Sequence, residues 1–251
     1  MASTDLTTID KKKFLALNRS ITEIREIIDD TLAGQQLGEF DLPRVGIPPG
    51  GGGHWTIPTA LGDDSSPELT GIVVAFQRTR AYWPNPDPTG EPPVCRSHDA
   101  LVGTGDPGGN CRTCPLAQYG SSPKGDNAQA CKEREVWFML REGSFLPLVL
   151  TLPATSLKGA KRYRVNLASG AIRLSDVVTA ITLRKERGPS GDYGIAEPRV
   201  AARLSDDAAS AARAYAAELR PMFAAAAAAV AESAPNGAPK VDADGDGIEE
   251  A

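Results

Sequence analysis

Ile9, Leu17, Ile21, Ile24, Ile28 and Leu32 recur at helical spacing with charged residues between them, and Gly34 follows as a stop. Residues 9–32 therefore read as an amphipathic helix. The segment 40–58 carries strand-like ends around Gly50 to Gly53, a turn too glycine-rich to be helical. Beyond it the period shortens. Residues 71–78 (Ile72, Val73, Val74, Phe76), 135–141 (Val136, Trp137, Phe138, Met139, Leu140) and 145–152 read as strands, the last two joined in a hairpin by Glu142-Gly143-Ser144. Pro153 to Ser156 offers a helix start, with Leu157, Tyr163 and Leu167 on one face and Gly170 near the end. Two further strands, 177–185 and 193–201, flank a loop of turn residues at 187–191.

The order strand, strand, strand, helix, strand, strand is the one expected of an OB-fold, a five-stranded Greek-key barrel that binds oligonucleotides or oligosaccharides. The fold class expected is α+β, mainly β: an OB-like barrel with an inserted four-cysteine zinc module and flanking helices. Four regions follow. Residues 1–36 carry the amphipathic helix, 37–203 the OB-like domain with its insertion at 92–132, 204–233 an alanine-rich helix that Pro221 should kink, and 234–251 a disordered acidic tail.

Net charge is −5 over 251 residues, but the charge is unevenly spread. No apolar run approaches a membrane span and residues 1–13 lack the core of a signal peptide, so a cytoplasmic protein, in a bacterial host cell, is expected. In that reducing compartment four clustered cysteines imply metal ligation rather than disulfides. Cys95, Cys111, Cys114 and Cys131 are spaced by fifteen, two and sixteen residues. The Cys111-Arg112-Thr113-Cys114 turn lets two thiolates face one metal, and the flanking cysteines complete a tetrahedron with no open position, so one structural zinc ion is expected. The proline- and glycine-rich sequence around them cannot build a core and would take its folding energy from the metal. His98, three residues after Cys95, is the competing ligand, and an iron–sulfur cluster or a redox pair is the competing chemistry.

Basic residues crowd the second half of the strand region: Lys158, Lys161, Arg162, Arg164, Arg173, Arg184, Lys185 and Arg187 stand against only Asp176 and Glu186. Aromatic residues interleave with them, as single-strand binders need when bases stack on rings and cations track phosphates. The candidate nucleic-acid contacts are Arg78, Arg80, Tyr82, Trp83, Trp137, Lys158, Lys161, Arg162, Tyr163, Arg164, Arg184 and Lys185. Trp137 and Phe138 are neighbours on one strand and face opposite ways, so one of the two belongs to the core. No cluster of carboxylates suited to magnesium-dependent hydrolysis is evident, so no enzymatic activity is expected. Asp242, Asp244, Asp246, Glu249 and Glu250 form a polyanion able to occupy a cationic groove or to meet partner proteins.

Leu42-Pro43-Arg44 with its glycine turn, Ala81-Tyr82-Trp83, Cys111-x-x-Cys114-Pro115 with Tyr119-Gly120-Ser121 and Cys131-Lys132, and the run from Leu152 to Lys158 resemble a family from bacteriophages and mobile genetic elements, over residues 37–203. The resemblance implies single-stranded-DNA binding in DNA replication or recombination; replication or recombination proteins are expected as partners through the acidic tail, and self-association along the strand is a further expectation. A more distant likeness is to the phage helix-destabilising proteins. The tail ends Ile248-Glu249-Glu250-Ala251, without the terminal hydrophobic residue of bacterial single-strand-binding tails. The alternative function is a zinc-containing interaction module of a replication or defence complex that does not touch DNA.

Overall fold

The computed structural model describes residues 7–33, 35, 41–85, 91–125, 127–188 and 191–224. The acidic tail, residues 225–233 of the alanine-rich segment, and Gly34 lie outside the described residues. In chain order the elements are β1 (Thr8–Ile9), 3-10 turns at Lys11–Lys13 and Leu15–Asn18, α1 (Ile21–Thr31), β2 (Arg44–Gly46), a 3-10 turn at Pro49–Gly51, β3 (Trp55–Thr59) and β4 (Gly62–Ser66). The long β5 (Glu68–Tyr82) follows, then the short β6 (Cys95–Ser97), β7 (Val102–Gly105) and β8 (Gly109–Asn110), and then β9 (Lys132–Leu140) and β10 (Leu148–Leu152). Helix α2 (Ala154–Ser169), β11 (Val177–Gly188), β12 (Gly191–Leu204) and α3 (Asp206–Glu218) complete the chain.

The expected order of strands and helix is present as β5, β9, β10, α2, β11 and β12. The N-terminal helix is shorter than its apolar spacing suggests. Ser20 and Glu23 form a reciprocal cap, Ser20 N donating to Glu23 Oε2 at 2.8 Å and Glu23 N to Ser20 Oγ at 3.2 Å, and this starts α1 at Ile21, twelve residues beyond Ile9. Ile9 instead lies in a strand paired with Leu204. Ser205 Oγ caps α3 by accepting from Ala208 N at 3.3 Å, with Asp206 and Asp207 in the first turn where the helix dipole favours them.

The architecture is mixed α and β around a ten-stranded sheet, with β3 and β4 in a second sheet of two strands. Antiparallel pairing runs β10-β9-β5-β11-β12. β5 serves two neighbours, β11 through residues 68–71 and β9 through 72–81, with a register shift between Val73 and Ala75 just after the change.

Closing this path into a barrel requires β10 to pair with β12, and among the described residues it does not. The expected closed barrel is thereby corrected to an open sheet: β10 takes β2 in parallel (Val149↔Arg44 to Thr151↔Gly46), and β12 takes β1 in parallel at Thr8↔Arg203. The chain between passes over β12 at Gly51. Its φ of 68° and a Cβ position only 2.8 Å from the Tyr193 carbonyl oxygen admit glycine alone.

Two cores lie on opposite faces of the sheet. Val136, Phe138, Leu140 and Val149 join Phe14, Leu17, Ile24, Ala212, Tyr215 and Phe223 on the face covered by α1 and α3. Trp137, Met139, Leu148 and Leu150 join Trp55, Ile57, Ala160, Tyr163 and Leu167 on the face covered by α2 and β3. Strand β9 is thus apolar on both sides, which is why its sequence reads as a run rather than an alternation. Trp137 and Phe138 do point opposite ways, and both are fully buried, because Phe223 stacks on Phe138 at 4.5 Å between ring centroids. No helix among the described residues is long and apolar enough to cross a membrane.

Candidate nucleic-acid interface and cysteine cluster

The segment between β5 and β9 hangs from the sheet by three register pairs, Arg80↔Ser97, Ala81↔Arg96 and Tyr82↔Cys95. Its backbone is tied by local bonds. Cys111 N donates to Leu101 O and Cys131 N to Leu116 O, both at 2.8 Å, and Cys114 begins the 3-10 turn Pro115–Ala117. Asp99 accepts from Leu101 N at 2.7 Å and Val102 N at 3.0 Å, which holds its carboxyl below the usual range.

All four cysteines are free, and Cys95, Cys111 and Cys131 are buried. Each lies within electrostatic reach of others, Cys111 of Cys95 and Cys114, and Cys131 of Cys95 and Cys111. Burial pushes the Cys131 thiol up to about 11, against the pull of neighbouring Arg80, and raises Cys111 as well, against a hydrogen bond from Ser97. Gly103 packs against the cluster, its Cβ position only 3.1 Å from Cys95 Sγ. Among the described residues no three His, Cys, Asp or Glu side chains are set so as to hold a metal ion. His98 is half-buried, and its Nδ1 has no hydrogen-bond partner among the described residues.

The candidate DNA contacts divide by their partners. Trp137 is fully buried, its Nε1 donating to Glu135 Oε2 at 3.0 Å. Tyr163, 7% exposed, stacks on Trp137 at 6.4 Å and bonds Thr179 Oγ1 at 2.8 Å, so both rings pack the core. Trp83 is buried with Nε1 on Glu91 O at 2.9 Å and the Arg134 guanidinium 5.1 Å from its ring, while Tyr82 is half-buried. Burial pushes Arg134 down to about 10. Arg78 and Arg80 share Glu133, with Arg78 Nε donating to its Oε1 at 2.7 Å, and Arg80 is buried. On the β11–β12 ribbon Arg184 is paired with Glu186 and Glu197, and Lys185 with Asp192 at 2.7 Å.

Helix α2 differs. No Asp or Glu occurs between Glu142 and Asp176. Lys158, Lys161 and Arg162 are exposed on the helix face away from the core residues Ala160, Tyr163 and Leu167, and none has an ion pair among the described residues. One turn beyond Lys161, Arg164 leans back onto the sheet, donates from Nη2 to Glu135 Oε1 at 2.7 Å, and lays its guanidinium 4.4 Å from the Phe76 ring centroid. Sequence reasoning placed Phe76 in a strand but not in the site, and missed the two acids that organise the arginines. Glu133 and Glu135, alternating with Lys132 and Arg134 at the head of a strand that is apolar from Val136 on, were the signal that could have found them.

Comparison with known proteins returns no matching family model, no matching characterised protein and no matching solved structure.

Proposed function

We propose that this chain binds single-stranded DNA without sequence preference, in the replication or recombination of a phage or mobile element, on an OB-like sheet whose inserted cysteine segment is stiffened by one zinc ion. The observation that carries the reading is the exposed, acid-free cationic face of α2, Lys158, Lys161 and Arg162, beside which Arg164 and Arg78 lie on the sheet, ion-paired to Glu135 and Glu133. Three cations on one helical turn and a half, without ion pairs among the described residues, suit a phosphate backbone, whose condensed counterions they release on binding. Of the buried candidates, Trp137 and Tyr163 pack beneath α2, whereas Arg80 and Trp83 lie at the root of the cysteine segment.

Zinc fits the donor chemistry, four free thiols that neighbour one another in a segment without a core. Four thiolates repel, and the cation that draws them to one point also offsets their charge. Cys95, Cys111, Cys114 and Cys131 would hold it, and its contribution is structural.

A labelled oligo-dT of about thirty nucleotides, enough for two or more OB-sized footprints, tests the reading by fluorescence anisotropy. Tight binding should weaken with salt at a log–log slope of about −0.7 per phosphate neutralised, and duplex DNA should bind less well. Failure to bind at low salt overturns the reading. It would favour the interaction-module alternative, for which the exposed Val94, Leu101, Val102 and Tyr119 of the cysteine segment speak.

A further inference from the structure

Phe76 sits on β5 at a position whose surroundings are unusual for an aromatic residue. Its ring is 43% exposed although its cross-strand partner, Trp137, is fully buried. From residue 72 to residue 79, β5 is paired to β9 alone among the described residues, so one edge of the strand beside Phe76 carries no partner strand. β5 passes from β11 to β9 at Gly71–Ile72, and the β11–β12 ribbon runs on from Thr182 to Gly188↔Gly191 past the Glu68 end of β5, away from Phe76. The ring thus lies beyond this junction, on a stretch of β5 with one unpaired edge among the described residues.

Its position is fixed from above. Arg164 stacks on the ring and cannot swing away freely, because both its terminal nitrogens are bound by Glu135, itself 2% exposed and anchored by the Trp137 indole. Arg78, two residues along the same face of β5, is held on Glu133, whereas Lys161, one turn from Arg164 on α2, is exposed and has no ion pair among the described residues. An exposed aromatic ring beside a cation that can reach phosphates is the combination a single strand requires, bases on rings and charges on the backbone.

We infer that Phe76, held against Arg164, is the seat on which a nucleobase of the bound single strand stacks. This rests on the single-stranded-DNA reading above and adds the atom-level site at which a base, rather than a phosphate, is met. A Phe76→Trp variant tests it directly, since Trp55 and Trp137 are fully buried and Trp83 is 7% exposed, leaving the introduced indole as the one solvent-facing reporter. Titration with oligo-dT should quench its emission saturably, because thymine stacked on indole quenches it. Phe76→Leu, which keeps an apolar side chain and removes the π-face, should bind oligo-dT roughly tenfold more weakly, within the range a stacked base contributes. Its salt slope should be unchanged, since every group that meets a phosphate is still in place. Wild-type urea midpoints for both variants would show that the fold is intact.

If Phe76→Trp binds oligo-dT without quenching, or Phe76→Leu binds as tightly as wild type, the stacking site is wrong and the binding reading survives. If wild-type protein itself fails to bind oligo-dT, both fall together.

Discussion

Glu135 is nearly inaccessible to water, yet it carries a charge with three donors on it, two from Arg164 and one from the Trp137 indole. A buried ion pair of this kind contributes little net energy when whole, but removing one charge strands the other. Glu135→Gln should therefore cost about 3 kcal/mol or more, read as a lowered urea midpoint. A loss under ~1 kcal/mol would mean that water reaches Arg164 more freely than its 17% side-chain exposure implies. Tyr215 makes a different prediction. Its hydroxyl donates to Phe145 O at 2.6 Å, and burial raises its ionisation well above the ordinary range, as burial also raises Tyr163. The unfolded chain releases these protons near pH 10 while the folded chain retains them, so the folded state binds more protons there and stability falls as pH rises. The slope approaches about 1.4 kcal/mol per pH unit for each tyrosine involved. Cys131 adds a loss of the same sign from about pH 8.5 in metal-free protein, because its folded value is higher. Urea midpoints measured from about pH 8 to 11 should fall most steeply at the top, and Tyr215→Phe should make that last limb shallower.

Elements were legible where a single signal governed them. The strands β5, β9, β10, β11 and β12 and helix α2 follow from apolar period and from the turn residues between them, such as Glu142-Gly143-Ser144, Pro153 and Gly170. The N-terminal helix misled because its apolar spacing continues through residues that pack in other ways. Phe14 and Leu17 are buried from 3-10 turns, and the local cap at Ser20 outweighs the longer period. Ser20→Ala should cost about 1 kcal/mol and raise amide exchange in the first turn of α1 only. Strand β4 was invisible because Gly62–Ser66 has no apolar residue at all, and its pairing to β3 is all that makes it a strand. The candidate site was half legible for a related reason. Sequence shows where cations are dense but not which acids cross from other strands to neutralise them, and Glu133, Glu197 and Asp192 do so through registers that no local pattern reveals. What survives that pairing is α2. Reversing Lys158 and Lys161 to Glu should lower the log–log salt slope of oligo-dT binding by about 0.7 for each phosphate no longer neutralised, while the equivalent change at Lys185 should do less. Equal slopes for the two variants would place the DNA elsewhere.

At the scale of the molecule, the cysteine segment stands outside both cores, neither of which contains a described residue between positions 76 and 135. The segment is joined to the sheet by the short β5–β6 register, and its own strands β6, β7 and β8 share only two register pairs at each junction. A chain so rich in glycine and proline gains little from burial and loses much conformational entropy on ordering, so an external source of free energy is needed to hold it. Purified protein should accordingly carry one zinc per chain by elemental analysis, and chelation should melt this segment alone. In hydrogen exchange that would appear as a rise in rates from Cys95 to Cys131, while β9 to β12, buried in two cores on either side, keep their protection. The four thiols would then react with a thiol reagent at once rather than after global unfolding. Protein that contains no metal, and whose segment exchanges slowly regardless of chelator, would overturn the zinc assignment and leave local hydrogen bonds such as those of Asp99 to account for its order. Separately, DNA affinity that survives chelation would show that α2 and Phe76 act without the segment, whereas its loss would make the segment one wall of the binding surface.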